Sequence, residues 1–134
     1  MTLDDIPLFN MLKAKLGYDA RRQGLIAQNV ANSETPGFAP KDLRAFSFEA
    51  AMQSGTAMTR TQGGHIAGRT RGSSASAARP VDAPDGEARL DGNQVVLEEQ
   101  MMKMSDARAD YDAAISMYQQ SMSMLRTAAR RPGG

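Results

Sequence analysis

Two stretches of the chain repeat apolar residues at helical spacing, and they lie at opposite ends. In the first, residues 5–32, Phe9, Leu12, Leu16, Ala20, Gln23, Ala27 and Val30 step by three and four along one face, and Met11, Tyr18 and Leu25 recur every seven residues beside it. Two apolar strips on one helix predict two neighbours. Pro7 falls in the first turn, where its missing amide hydrogen costs nothing, and Thr2, Asp4 and Asp5 supply capping groups ahead of it. Gly17 and Gly24 each weaken the isolated helix by about 1 kcal/mol relative to alanine, so its order depends on packing.

The second stretch, residues 93–131, is longer. Leu97, Met101, Met104, Arg108, Tyr111, Ile115, Tyr118, Met122, Leu125 and Ala129 alternate steps of four and three, a heptad seam broken only at Arg108. Met102, Ala109, Met117, Met124 and Ala128 make a second strip beside it. Five acids between positions 98 and 112, and Arg126, Arg130 and Arg131 at the far end, counter the helix macrodipole at both termini. Asp91-Gly92-Asn93 reads as a turn with a cap, and Pro132-Gly133-Gly134 as a stop. At 1.5 Å per residue the second helix would be about 58 Å long and the first about 42 Å.

The middle is poor in core. Ile26, Ala27 and Val30 keep helical spacing up to Thr35-Pro36-Gly37, which ends the first helix: Pro36 disfavours helical backbone at Thr35, and Gly37 tolerates the positive φ of a reversal. Gln28, Asn29 and Asn32 put amides where a solvated face would carry Lys or Glu. Residues 41–53 read as a short extended piece, then one or two helical turns from near Ser47, anchored by Phe46, Phe48 and Met52. From there to position 88 the chain is Gly, Ser, Ala, Thr and Pro, a composition that cannot bury enough surface to offset chain entropy. A flexible or partner-ordered segment is expected. Arg60, Arg69, Arg71 and Arg79 lie there with no acid between residues 55 and 80, as a solvated linker or a contact for an acidic partner.

The expected fold is all-α, with two long helices forming an antiparallel coiled coil around a short, irregular and partly flexible middle. Residues 1–53 hold the first helix, its turn and the short segment, residues 54–90 the polar middle, and residues 91–134 the second helix. The two ends together make one structural domain. With 134 residues, five percent aromatic and no Trp, its own core is thin. Formal net charge is +1, which supplies no global attraction to nucleic acid or anionic membrane. The absence of Cys excludes a disulfide frame, a thiol nucleophile and a cysteine metal site. No apolar run approaches the roughly 20 residues that span a bilayer, and the N-terminus lacks the basic and apolar segments of a cleaved secretory signal.

Candidate chemistry in the middle is weak. Residues 63–70 match a phosphate-loop pattern except for Arg69 in place of Lys, but neither a buried strand before nor a helix after is expected, and the backbone amides of that arrangement do the binding. His65 is the only histidine, with no thiol or clustered carboxylate beside it, and reads as a linker residue. Asp82, Asp85, Glu87 and Asp91 lack calcium-loop spacing and read as turns leading to a helix start. No catalytic, cofactor-binding or metal-binding residue is assigned, and neither an enzyme nor a small-molecule substrate is expected.

Ala31-Asn32-Ser33-Glu34-Thr35-Pro36-Gly37-Phe38 resembles the A-N-x-x-T-P-G-[FY] signature near the N-terminus of bacterial flagellar rod and hook proteins. Asp91-Gly92-Asn93-Gln94-Val95, followed by Leu97-Glu98, resembles the D-G-N-x-V-x-L-E opening of the C-terminal helix in the proximal rod family. At 134 residues the chain has no room for the central domain of distal rod and hook proteins, so the short proximal type is the nearest match. The likeness covers residues 5–53 and 91–130. It departs from the family at Val96 and Gln100, where acidic residues are more usual, and at Ala107, where Asn is common.

The resemblance implies a structural subunit whose two helices stack with those of its neighbours into the wall of a hollow axial drive shaft, transmitting torque and conducting exported subunits. It implies a place in the periplasmic rod of the basal body, reached through the flagellar type III export apparatus without a cleaved signal. The implied partners are copies of the chain, other rod proteins, the adaptor between rod and membrane ring, and the ring's collar, with no nucleic acid. Leu12, Leu16, Ile26 and Val30 would meet Leu97, Met101, Met104, Tyr111, Ile115, Tyr118, Met122 and Leu125. Asn32, Thr35, Pro36, Gly37 and Phe38 would hold the helix pair against Phe46 and Phe48. Without the resemblance, the ten methionines suit either the core of an ordinary helical hairpin or contacts with several differently shaped neighbours. A helical interaction module such as a secretion chaperone, and a small phosphate-binding enzyme using residues 63–70, are the other readings.

Overall fold

The computed structural model describes residues 6–55, 79–86 and 88–130. The elements are α1 (Pro7–Ala31), β1 (Lys41–Leu43), α2 (Phe48–Gly55), β2 (Pro80–Asp82) and α3 (Leu97–Ala129). The protein is thus mostly helical, with two long helices and one small sheet. The N-terminal capping residues, Arg60, Arg69, Arg71, His65, the loop at 63–70 and the C-terminal stop all lie outside the described residues. Among the described helices none is long and apolar enough to cross a membrane.

Helix α1 lies along α3 with opposed chain direction. The Phe9 ring meets the edge of Tyr118 at 5.3 Å. Lys15 reaches Asp110, the Gln23 side chain donates to the Ala107 carbonyl, and Asn29 donates to Gln100. On α1 the side facing α3 carries buried Phe9, Leu12, Asp19 and Ile26, with Leu16, Gln23 and Val30 half-buried. Ala20 and Ala27, placed on that face by the apolar pattern, are exposed, and Asp19 and Ile26 stand there instead. An acid does not register in an apolar count. Asp19 enters because Lys15, one turn back, holds its Oδ1 at 2.7 Å; its Oδ2 has no partner, and burial pushes its carboxyl above the ordinary range.

The buried line of α3 is Gln100, Ala107, Ala114 and Ser121, every seventh residue. It is flanked by half-buried Met104, Tyr111, Ile115, Tyr118 and Met122. Leu97, Met101 and Leu125, expected in the seam, are exposed, Met101 by 66%. The correction has a packing reason: the bulk is supplied from α1 by Phe9, Leu12 and Ile26, and small side chains opposite let the two backbones approach. Ala107 and Gln100, two of the departures from the rod pattern, both sit in this line.

The second strip of α1 also finds a neighbour. Tyr18 is buried against Phe46 at 5.4 Å, and Phe46 meets Phe48 edge-on at 5.0 Å. Beside them β1 and β2 pair antiparallel, Asp42 opposite Val81. Arg22 clamps Asp42 with two bonds of 3.0 and 3.1 Å, tying this sheet to α1. Residues 80–82 were expected inside a flexible stretch. Instead β1 supplies the backbone partners that three residues cannot supply alone, and the Ala83 amide adds a bond to the Pro40 carbonyl at 2.9 Å.

Ile26→Ala should lower unfolding free energy by about 2–5 kcal/mol, because it empties a fully enclosed site, whereas Met101→Ala should change it by less than about 0.5 kcal/mol. Urea unfolding of the two variants measures both, and equal losses would contradict the buried line described here.

Candidate functional site

The two stretches with recognisable motifs meet in space. Thr35-Pro36-Gly37-Phe38 closes with the Phe38 amide donating to the Thr35 carbonyl at 3.3 Å, and Gly37 has φ 71°. Proline second and a left-handed glycine third are the chemistry of a type II turn. Residues 89–93 make the opposing turn. Gly92 donates to the Arg89 carbonyl at 2.9 Å with φ 80°, and the Arg89 amide donates to the Asn93 carbonyl at 2.8 Å. A Cβ on Gly92 would lie 3.4 Å from Gly37 Cα, so the two glycines allow the backbones to touch.

Asn93 fastens this joint. Fully buried, it donates through Nδ2 to the carbonyls of Asn32 at 3.0 Å and Thr35 at 2.7 Å, and accepts from the Val95 amide at 2.9 Å. Its own amide donates to Asp91 Oδ1 at 3.0 Å. Two backbone bonds flank it, Gly37 to the Asp91 carbonyl at 3.1 Å and Gln94 to the Phe38 carbonyl at 3.0 Å. The carbonyls of Gln28, Asn29 and Val30 at the end of α1 are met locally by Asn32 and Ser33, and the approach to α3 takes up those of Asn32 and Thr35 just beyond it. The turn at 35–38 thus holds residues 91–94; of its expected partners, Phe46 lies against Tyr18 and Phe48 against Phe46. Residues 93–96, expected in the second helix, lie outside it, with Val96 extended; the Asn93 side chain and the Gln94 amide bond to the other turn.

A second polar group lies one turn further in. Asn29 reads the backbone of Lys41 from both sides, accepting its amide at 2.9 Å and donating to its carbonyl at 2.8 Å. The same Nδ2 donates to Gln100 Oε1 at 2.9 Å, and Gln100 Nε2 donates to Asp85 Oδ2 at 2.6 Å. Asp85 also accepts from the Val96 amide at 3.1 Å and from Lys103 Nζ at 2.6 Å. Sequence reasoning passed over Asp85 as a turn residue, and no periodicity marks it. Burial raises its carboxyl, but the bonds from Lys103, Gln100 and the Val96 amide more than offset that, and it is held below the ordinary carboxylate range.

Asn29, Gln100, Asp85 and Asn93 are buried, and each is hydrogen-bonded within the chain. Asp85, with three donors around it, is not free to act as a base. The arrangement is a fastening, one that fixes where α3 begins relative to where α1 ends.

No protein-family model matches the chain. The chain is similar to the flagellar basal body rod protein FlgB of Agrobacterium fabrum (strain C58 / ATCC 33970). The two are 29% identical over 97% of this chain and 98% of that one. This likeness, end to end and at equal length, supports a flagellar rod family and a structural role.

Gln100 works in this network because an amide both donates and accepts. Gln100→Glu would set a second carboxylate against Asp85, raising the pKa of the pair in the folded state only. Stability should fall by roughly 2 kcal/mol at neutral pH, and the deficit should shrink as pH falls through the raised value, where the pair takes up a proton. Asp85→Asn should also show a deficit that shrinks on acidification, but through a depressed rather than a raised carboxyl. The stability that carboxylate contributes is fully present above its ordinary pKa and is lost as pH falls through the depressed folded value, so wild type and variant should converge under acid. Thermal unfolding across pH 3 to about 8 checks both trends.

Proposed function

We propose that this protein is a structural subunit of the bacterial flagellar rod, of the proximal type, in which α1 and α3 act as an antiparallel coiled coil and both ends of the chain form one domain. The observation that carries this reading is the apolar surface that α3 leaves uncovered. Met101, Met102, Met117 and Met124 are 66, 69, 58 and 58% exposed, and every residue from 123 to 130 is exposed. A run of flexible thioethers along a long helix suits packing against several unlike neighbours. At 33 residues α3 is about 50 Å long, against about 38 Å for α1 with 25, so pairing within the subunit leaves part of it for other chains.

In this reading, subunits repeat head to tail on a helical lattice, a heterologous contact that does not close on itself. The neighbours are copies of the chain, other rod proteins, the rod-to-ring adaptor and the collar of the membrane ring. The chain travels through the flagellar export apparatus and takes its place in the periplasmic rod. Its work is mechanical, with torque passed along the shaft and exported subunits passed through it. The joint at Gly37 and Gly92 fixes the angle at which each helix pair meets the rest of its subunit. The turn residues Ala31, Asn32, Thr35, Pro36, Gly37, Phe38, Asp91, Gly92 and Asn93 act in assembly through that angle.

Deletion of the gene should abolish motility and basal-body rods, and normally flagellated cells would reject the proposal. Gly37→Val places a branched side chain at φ 71°, a conformation it resists. The variant should fail to restore motility to the deletion strain while circular dichroism of the purified chain shows nearly unchanged helix content.

A further inference from the structure

An open groove of about 400 Å³ lies on the outer side of α1, lined by Arg21, Gly24, Leu25, Gln28, Leu43 and Pro80. Its walls are mostly apolar, and at Gly24 an added Cβ would meet nothing within 4 Å. Leu43 and Pro80 oppose each other across the sheet. Arg21, in the lining, is exposed, and among the described residues no ion pair engages it. The groove is therefore an apolar depression with a positive charge in its wall that no described acid pairs.

The complementary shape is on the other long helix. Met102 is 69% exposed, with Glu98 and Glu99 one turn before it and Asp106 one turn after, all exposed and without an ion pair among the described residues. Met117 and Met124 lack this ring, since residues 113–125 carry no charge. We infer that the groove receives Met102 of a second copy of this chain, with the acids around it, Glu98, Glu99 and Asp106 of that copy, set against Arg21. This rests on the assembly reading above and names one contact within it. Groove and knob sit on different faces, so each subunit offers one of each and the contact repeats head to tail. Matched charge selects the register, and the desolvated thioether supplies the apolar contact.

The chain has no cysteine, so engineered thiols report without background. Two full-length chains with different tags, one carrying Gly24→Cys and the other Met102→Cys, are mixed and exposed to a mild oxidant. The mixture should give a disulfide-linked pair bearing both tags. Arg21→Glu in the first chain should remove most of the linked product, and adding Asp106→Arg to the second should bring it back. Salt should reduce the yield, as screening weakens exposed charge contacts. Gln28→Cys samples the same groove should Gly24→Cys lose helix content. A yield no higher than that of Gly24→Cys with Met117→Cys, or one indifferent to Arg21→Glu, overturns the contact. So does a wild-type chain that sediments as a monomer at every concentration. Sedimenting oligomers without linking would remove this contact and leave the rod reading standing, which falls separately if the deletion strain swims.

Discussion

The constraint on which the rest of the structure depends is the run of buried side-chain bonds from Lys41 through Asn29 and Gln100 to Asp85. Buried polar groups are costly unless every donor and acceptor is met, and each partner here comes from a different segment. Asn29 is on α1, Gln100 on α3, Lys41 on β1, and Asp85 follows β2. Sliding α3 by one residue would carry Gln100 around the helix and break its bonds to Asn29 and Asp85 together. Apolar packing sets no such register, because Ala107, Ala114 and Ser121 are small and nearly interchangeable against Phe9, Leu12 and Ile26. The apolar faces hold the helices together, and the amides determine where along each other they stop.

How far the sequence speaks for this arrangement depends on whether a feature is periodic. Both long helices are visible within a few residues because 3.6-residue spacing persists for many turns. Their buried lines are less visible, because an acid and an amide, Asp19 and Gln100, occupy positions that a count of apolar residues passes over, and alanines mark no face. β2 and Asp85 are not legible at all. A three-residue strand exists only by virtue of its partner, and a single carboxylate among prolines and glycines acquires meaning from Lys103 and Gln100, distant in the chain. The two turn motifs can each be read, and Gly37 and Gly92 each fit a reversal. That they touch is a tertiary fact with no local trace, which is why the first was assigned to Phe46 and Phe48.

The two long helices are unlike in what surrounds them. α1 has a neighbour on each of two sides, α3 on one and the aromatic cluster with the sheet on the other, and its outer surface has small residues and basic ones. Among the described residues α3 packs along α1 and, in its first turns, against Asp85, and it presents acids over its first half and methionines along most of its length. In the proposed assembly, two principal surfaces that differ in this way favour a translational, head-to-tail contact over pairing about a two-fold axis.

The fastening and the exposed surface are linked through the first turns of α3. Asp85 holds the Val96 amide, Gln100 and Lys103, so it fixes the rotation of the segment that also carries Glu98, Glu99 and Met102 on its outer side. Rotation by one residue, about 100°, would take Gln100 out of the buried line and set Glu99 or Met101 in its place. The departure from the usual acid at position 100 then has a physical sense. With Asp85 already supplying the buried charge, a neutral amide is the side chain that can accept from Asn29 and donate to Asp85 at once. One charge is kept inside and matched by Lys103, and the remaining acids of that turn are left facing out.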